Sequence, residues 1–145
     1  MSSDDFSTDP FALQRFVDAQ QPVYAQVAAE LAAGAKTSHW MWFVFPQLKA
    51  LGRSATALHY GLVSRDEADA YWHHPLLGPR LAECSTLVLN TSGRSALQIF
   101  GSIDAMKLRS CMTLFEAVAP DTPVFAQVID RFHDGQRDTL TLALL

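Results

Sequence analysis

Residues 36–54 read KTSHWMWFVFPQLKALGRS, from Lys36 to Ser54, and the fold turns on whether His39–Phe45 is a helix or a strand. The run Trp-Phe-Val-Phe has strong strand propensity. No other stretch shows convincing period-two alternation, so a strand here would leave its backbone polar groups unpaired. The pattern therefore predicts a short helix over His39–Phe45, stopped by Pro46, because proline disfavours the α region for the residue before it. Thr37 or Ser38 is expected to cap it. With that stretch helical, the fold class is all-α.

Upstream, Leu13, Phe16 and Val17 share a helical face behind Pro10, and Gln21-Pro22 breaks this first helix. A second helix carries Tyr24, Val27, Ala28 and Leu31 at i, i+3, i+4 and i+7, and Gly34 suits its C-terminus. The short connection between the two predicts a helical hairpin. Residues 1–9, rich in Ser and Asp, read as a flexible leader.

Downstream, Gly52 marks a turn, and Ser64-Arg65-Asp66-Glu67 has the form of a capping box, with Ser at N-cap and Glu at N3. That helix buries Ala68, Tyr71 and Trp72 and stops near His73-His74-Pro75. Gly78-Pro79 opens the next, with Leu81, Cys84 and Val88 inward. Ser95–Phe100 forms a short helix closed by Gly101, and Ser102 is placed to cap a long one over Ile103–Ala119. The long helix is apolar on two sides: Ile103, Met106, Leu114 and Val118 on one, Leu108, Cys111 and Phe115 on another. A helix apolar on so many sides belongs at the centre. One polar stripe remains, made of Ser102, Arg109, Thr113 and Glu116. Thr122 as N-cap and Pro123 at N1 start the last helix. The tail Asp138–Leu145 is apolar enough to dock on the core. The expected architecture is one domain over residues 10–145, with seven or eight helices around a central helix in the C-terminal half.

Composition narrows the function classes. At 145 residues the chain can bury a sizeable single core. With 49% hydrophobic residues and nine Phe, it is unlike a disordered segment. A net charge of −4 argues against a nucleic-acid polymer as partner. No apolar run reaches the roughly 18 residues of a membrane span, and the acidic N-terminus lacks the form of a signal peptide. A cytoplasmic protein is expected, with no membrane partner. Cys84 and Cys111 form no paired motif and sit in apolar helical patterns. The five histidines show no metal-binding spacing, so neither metal nor cofactor is expected.

From Leu31 to Arg65 the chain has no Asp or Glu, yet it contains Lys36, Lys49, Arg53 and Arg65. An apolar anchor flanked by cations is what a pocket for a planar anion needs; it also describes a buried helix with a solvated end. Lys36, Arg53 and Arg109 are the candidates to hold an anion, since guanidinium groups recognise phosphate and carboxylate bidentately. The alternative for Arg109 is a salt bridge to Glu116. Trp40 is the candidate to stack a ring, with Gln47 and Ser54 fixing orientation. Equally, Trp40 and Trp42 are core: burying an indole removes about 150–250 Å² from water, worth roughly 4–6 kcal/mol as an upper bound. His39 is the one candidate for proton transfer, or else a surface or helix-end histidine. His73-His74 is read as a helix-terminus pair rather than a metal site, because adjacent helical side chains diverge. Two readings remain: a site for a small anionic, ring-containing ligand such as a nucleotide or sugar phosphate, and a non-catalytic helical module that docks a protein partner.

The segments LQRFVDAQ, SHWMWFVFPQL, LGRS, YWHHPLLGPRL, IFGS and MKLRSCMTLF, in this order and spacing, resemble the bacterial family of unknown function numbered eighteen-ten. The resemblance covers roughly residues 11 to 145. It implies a compact all-helical fold and no particular reaction. Some members carry the label calpastatin, a protease inhibitor; that inhibitor is a disordered chain, whereas this sequence is rich in core residues and helix caps. The family usually has Ser where this chain has Cys111, so any chemistry of that hydroxyl is in doubt here.

Overall fold

The computed structural model describes residues 9–145, and all but Asp9 of the expected leader lies outside the described residues. Nine α-helices fall within them: α1 Gln14–Gln20, α2 Tyr24–Ala33, α3 Met41–Val44, α4 Ala55–Tyr60, α5 Arg65–His73, α6 Leu77–Leu89, α7 Ala96–Val118, α8 Val124–Phe132 and α9 Thr139–Leu144. A 3-10 turn, Lys49–Leu51, precedes α4. The fold is all-α, as the absence of strand periodicity requires. Its helix count exceeds the expected seven or eight because α4 and α9, six residues each, are too short to show a face in sequence.

Helix α7 is the centre of the molecule. Leu108 and every residue from Ser110 to Phe115 are buried, and α5, α8 and α9 pack on it. The aromatic core is continuous: Phe16 meets Tyr71 edge-on at 5.1 Å, Tyr71 meets Phe115 at 5.6 Å, and Phe115 meets Phe125 at 6.0 Å. Tyr71 is still paired, because Gln20 Nε2 donates to its hydroxyl at 3.1 Å and to the Phe43 carbonyl at 2.7 Å.

Gly101 interrupts α7 with φ 81° and ψ 169°, values open to glycine and strained for other residues. The expected break between a short and a long helix is there, as a kink. The first part starts with a full capping box in which Ser95 Oγ accepts from Gln98 N–H while Gln98 Oε1 accepts from Ser95 N–H. At α5, Ser64 Oγ caps Glu67 N–H as expected, but the Glu67 carboxylate reaches Val63 N–H and Arg15 instead of the N-cap amide. Pro123 occupies the N-cap of α8 itself, one position earlier than expected.

Three packing expectations are corrected. The main partners of α1 and α2 are α3 and α6 respectively, not each other, so the first helices form no hairpin. Pro22 redirects the chain rather than folding it back. Ile103 and Met106 are 70% and 62% exposed, on a face of α7 that the core does not cover just after the kink. The tail does dock, but through polar groups: Asp138 and Thr141 are buried while Leu140, Leu142 and Leu144 face outward.

One further connection shapes the surface. Leu48 and Leu62 form an isolated parallel bridge, with Lys49 N–H donating to Leu62 C=O at 2.7 Å and Leu62 N–H to Gln47 C=O at 3.0 Å. The two backbones run so close that a Cβ on Gly61 would lie 2.5 Å from Lys49 Cα. Glycine is required there, and the bridge holds the 47–54 segment across the flank of the domain.

Candidate functional site

The 36–54 stretch divides at Pro46. In its first part, the single turn α3 begins at Trp40 and ends at Phe45, whose φ of −122° already satisfies the following proline. Neither Thr37 nor Ser38 caps it; both turn back to α2. There Glu30, buried beneath them, collects donors on both oxygens. Its Oε1 accepts from Thr37 N–H at 2.8 Å, Ser38 N–H at 3.1 Å and the Trp40 indole at 3.0 Å. Its Oε2 accepts from Ser38 Oγ at 2.6 Å and Gln26 Nε2 at 2.9 Å. Burial alone would raise the Glu30 carboxyl, but the donors outweigh it, and its pKa lies well below the ordinary glutamate value.

Trp40 is therefore sealed, 1% exposed, and is not placed to stack a ligand. Lys36 is committed as well. Its Nζ lies 2.7 Å from the Asp104 carboxylate and 2.7 Å from Ser38 C=O, 5.0 Å above the Trp40 ring, with the side chain 7% exposed. An acid outside the acid-free interval neutralises it. His39 is exposed beside this cluster, away from the groove described next.

The second part behaves differently. Gln47, the 3-10 turn, Gly52, Arg53, Ser54 and Ala57 form one wall of an open groove of about 750 Å³. The other walls are the middle of α7, with Ile103, Met106, Lys107 and Ser110, and the C-terminal segment, with Asp138, Leu140, Ala143 and Leu144. Ser54 caps α4 by accepting from Ala57 N–H at 3.1 Å. Arg53 is exposed and has no ion-pair or hydrogen-bond partner among the described residues. Lys107 adds a second cation, held 3.7 Å from Asp104 and 5.0 Å from the centre of the Trp42 ring. Trp42 is half-buried and holds Lys107 at the groove without lining it. The volume and mixed lining are those of a small-molecule site.

Arg109 does not join Arg53. It lies on another face of α7, where its Nε is sealed without a partner and its charge acts on His133. Burial first, and Arg109 second, hold the His133 imidazole below its ordinary pKa. The alternative partner for Arg109, Glu116, belongs to Arg137, which it meets at 2.7 Å. The polar stripe of α7 is largely a track for the C-terminal segment: Thr113 Oγ1 accepts from Asp138 N–H at 3.0 Å, and Glu116 holds Arg137. Cys111 is fully buried in the core. Burial pushes the Cys84 thiol up to about 12 and the Cys111 thiol well above its ordinary value, so both act as core side chains.

A second hollow of about 570 Å³ lies between the start of α1 and the end of α5. Its polar groups already serve the backbone. Asp9 accepts from Leu13 and Gln14 N–H, and His74 Nδ1 accepts from Leu76 and Leu77 N–H at the start of α6. The pair expected at the end of α5 thus divides, His74 serving the start of α6 and His73 Nδ1 lying 2.9 Å from the Asp69 carbonyl, and no group of possible metal ligands occurs among the described residues.

Of the anticipated site residues, the groove gathers Gln47, Arg53 and Ser54, and leaves Lys36, His39, Trp40 and Arg109 elsewhere. Lys107 and Asp138 were missed. The signal for Lys107 was its place four residues after Ile103 on a face taken as inward; for Asp138, its N-cap position before Thr139.

A family model described as a protein of unknown function (DUF1810) matches residues 10–145. Among solved structures, the crystal structure of the conserved hypothetical protein Rv1873 from Mycobacterium tuberculosis at 1.38 Å is similar, with a TM-score of 0.93 and 52% identity, over 94% of this chain and 98% of that one. No curated protein matches the chain.

Proposed function

The chain belongs to the DUF1810 family of proteins of unknown function, and we propose from the groove itself that it binds a small anionic ligand with an apolar body. The observation that carries the reading is Arg53: an exposed cation without a protein partner among the described residues, on the wall of a groove lined by Ile103, Met106, Leu140 and Leu144. Arg53 and Lys107 would take the phosphate or carboxylate, with Gln47 and the Ser54 hydroxyl beside it. The aliphatic side chains would cover the rest of the ligand, the role first expected of Trp40.

A second reading, docking of an apolar segment of a protein partner, is favoured by the exposure of Ile103, Met106 and Leu140. Thermal denaturation against nucleotides, sugar phosphates and short-chain and aryl carboxylates separates the two. A ligand at one hundred times its Kd adds about 2.7 kcal/mol, or roughly 5–10 °C in Tm for a chain of this size. The expected result is a shift that Arg53→Ala removes and His39→Ala leaves unchanged. No shift with any of the anions overturns the ligand reading.

A further inference from the structure

We propose, building on the anionic-ligand reading, that the ligand of this groove also carries an N–H donor for Asp138, so that the groove selects an amino-bearing anion over its donor-free analogue. Asp138 is 9% exposed and lines the groove. Its Oδ2 accepts from Thr141 N–H at 3.1 Å, from the Thr141 hydroxyl, and from Ser110 Oγ at 3.1 Å. The Ser110 proton is shared, since the Met106 carbonyl lies 3.2 Å from the same oxygen. No donor reaches Oδ1 among the described residues, and that oxygen is not one of the sealed, unpartnered atoms. It is therefore reached by solvent, on a residue of the groove wall.

Three other carboxylates of this half of the chain are answered by cations. Asp104 has Lys36 and Lys107, and Glu116 and Asp130 have Arg137. Asp138 has none within ion-pair distance among the described residues, although a buried carboxylate is costly without a partner. Its cap of α9 needs only one acceptor oxygen, which Asn or Ser would supply equally well. Asp138 and Arg53 thus each lack a counter-ion among the described residues, and no ion pair joins them across the groove. A ligand with its anion at Arg53, an apolar middle along Ile103, Met106 and Leu144, and a single N–H donor at Asp138 answers both. One donor suffices, because only Oδ1 is free.

Matched probes test this. The ω-amino carboxylates of four to ten carbons are compared with alkanoates one carbon longer, and adenosine 5′-monophosphate with purine riboside 5′-monophosphate, by calorimetry on the full chain. In whichever class binds, the amino-bearing member is expected to bind about tenfold tighter or more, the scale of one charge-assisted hydrogen bond. Asp138→Asn, which retains the α9 cap, should bring the two members within about twofold. Arg53→Ala should weaken both alike. If the donor-free member binds wild-type protein equally well, or if Asp138→Asn leaves the preference intact, the donor inference falls and the anionic-ligand reading stands. If neither class binds wild-type protein at millimolar concentration, both fall. The wild-type comparison decides the matter even if the variant does not fold.

Discussion

The two parts of the 36–54 stretch look alike in composition and differ in what meets their polar groups. Before Pro46, a lysine, an indole and the Thr37 and Ser38 amides converge on Glu30 and Asp104, and every charge is answered inside the protein. After Pro46, Arg53 finds no acid among the described residues, and the groove beyond it holds an acid that finds no cation among them. The contrast teaches how to separate a structural charge from a functional one. Residue type and neighbourhood in sequence are similar in both parts; the state of the partner is not. A satisfied cation holds the fold, whereas an unsatisfied one beside a hollow is available to something from solution.

The largest expected effect is on the sealed side. Glu30→Ala removes the acceptor for five donors, the Trp40 indole buried and the others partly so, and should destabilise the protein by roughly 2–4 kcal/mol, given about 1–3 kcal/mol for a buried group left unpaired. Urea denaturation measures it, and a loss below about 1 kcal/mol would mean that the cluster is solvated and the contrast with the groove false.

Acid sharpens the same point. The folded pKa of Glu30 is depressed, so its stabilisation is complete above the ordinary glutamate value of about 4.3 and is lost progressively as pH falls below it. Stability followed from pH 6 to pH 2 should decline more steeply in wild-type protein than in Glu30→Gln. Equal slopes would break the assignment.

The smallest effect is expected on the open side. Arg53→Ala, which loses no hydrogen bond or ion pair among the described residues, should change stability by no more than about 0.5 kcal/mol. A larger loss would place Arg53 among the structural charges and remove the difference between the two parts.

Several features of the fold were legible because they are local. Pro46 ends α3, Gly101 breaks α7, and Ser64 caps α5, each through backbone geometry that one or two residues impose. The central place of α7 followed from its all-round apolar character. The Trp40 environment was not legible, since Glu30 lies one residue outside the acid-free interval that drew attention to the cations. Nor was the tail: Leu140 and Leu144 look like core residues, yet the helix docks through Asp138, which pairs with the Ser110 and Thr113 hydroxyls of α7 and caps Thr141. Burial of that segment follows hydrogen bonds rather than hydropathy.

The sequence by itself determined the all-helical class, the breaks between most helices and the importance of the 36–54 stretch, because helix periodicity, caps and proline act over a few residues. Only the tertiary structure decided which charges are paired. Lys36 and Asp104 are 68 positions apart and touch, while Arg53 and Asp138 line one groove from distant parts of the chain and have no ion pair among the described residues. Coulomb and hydrogen-bond energies depend on distances of a few ångströms, and those are set by the packing of whole helices rather than by position along the chain.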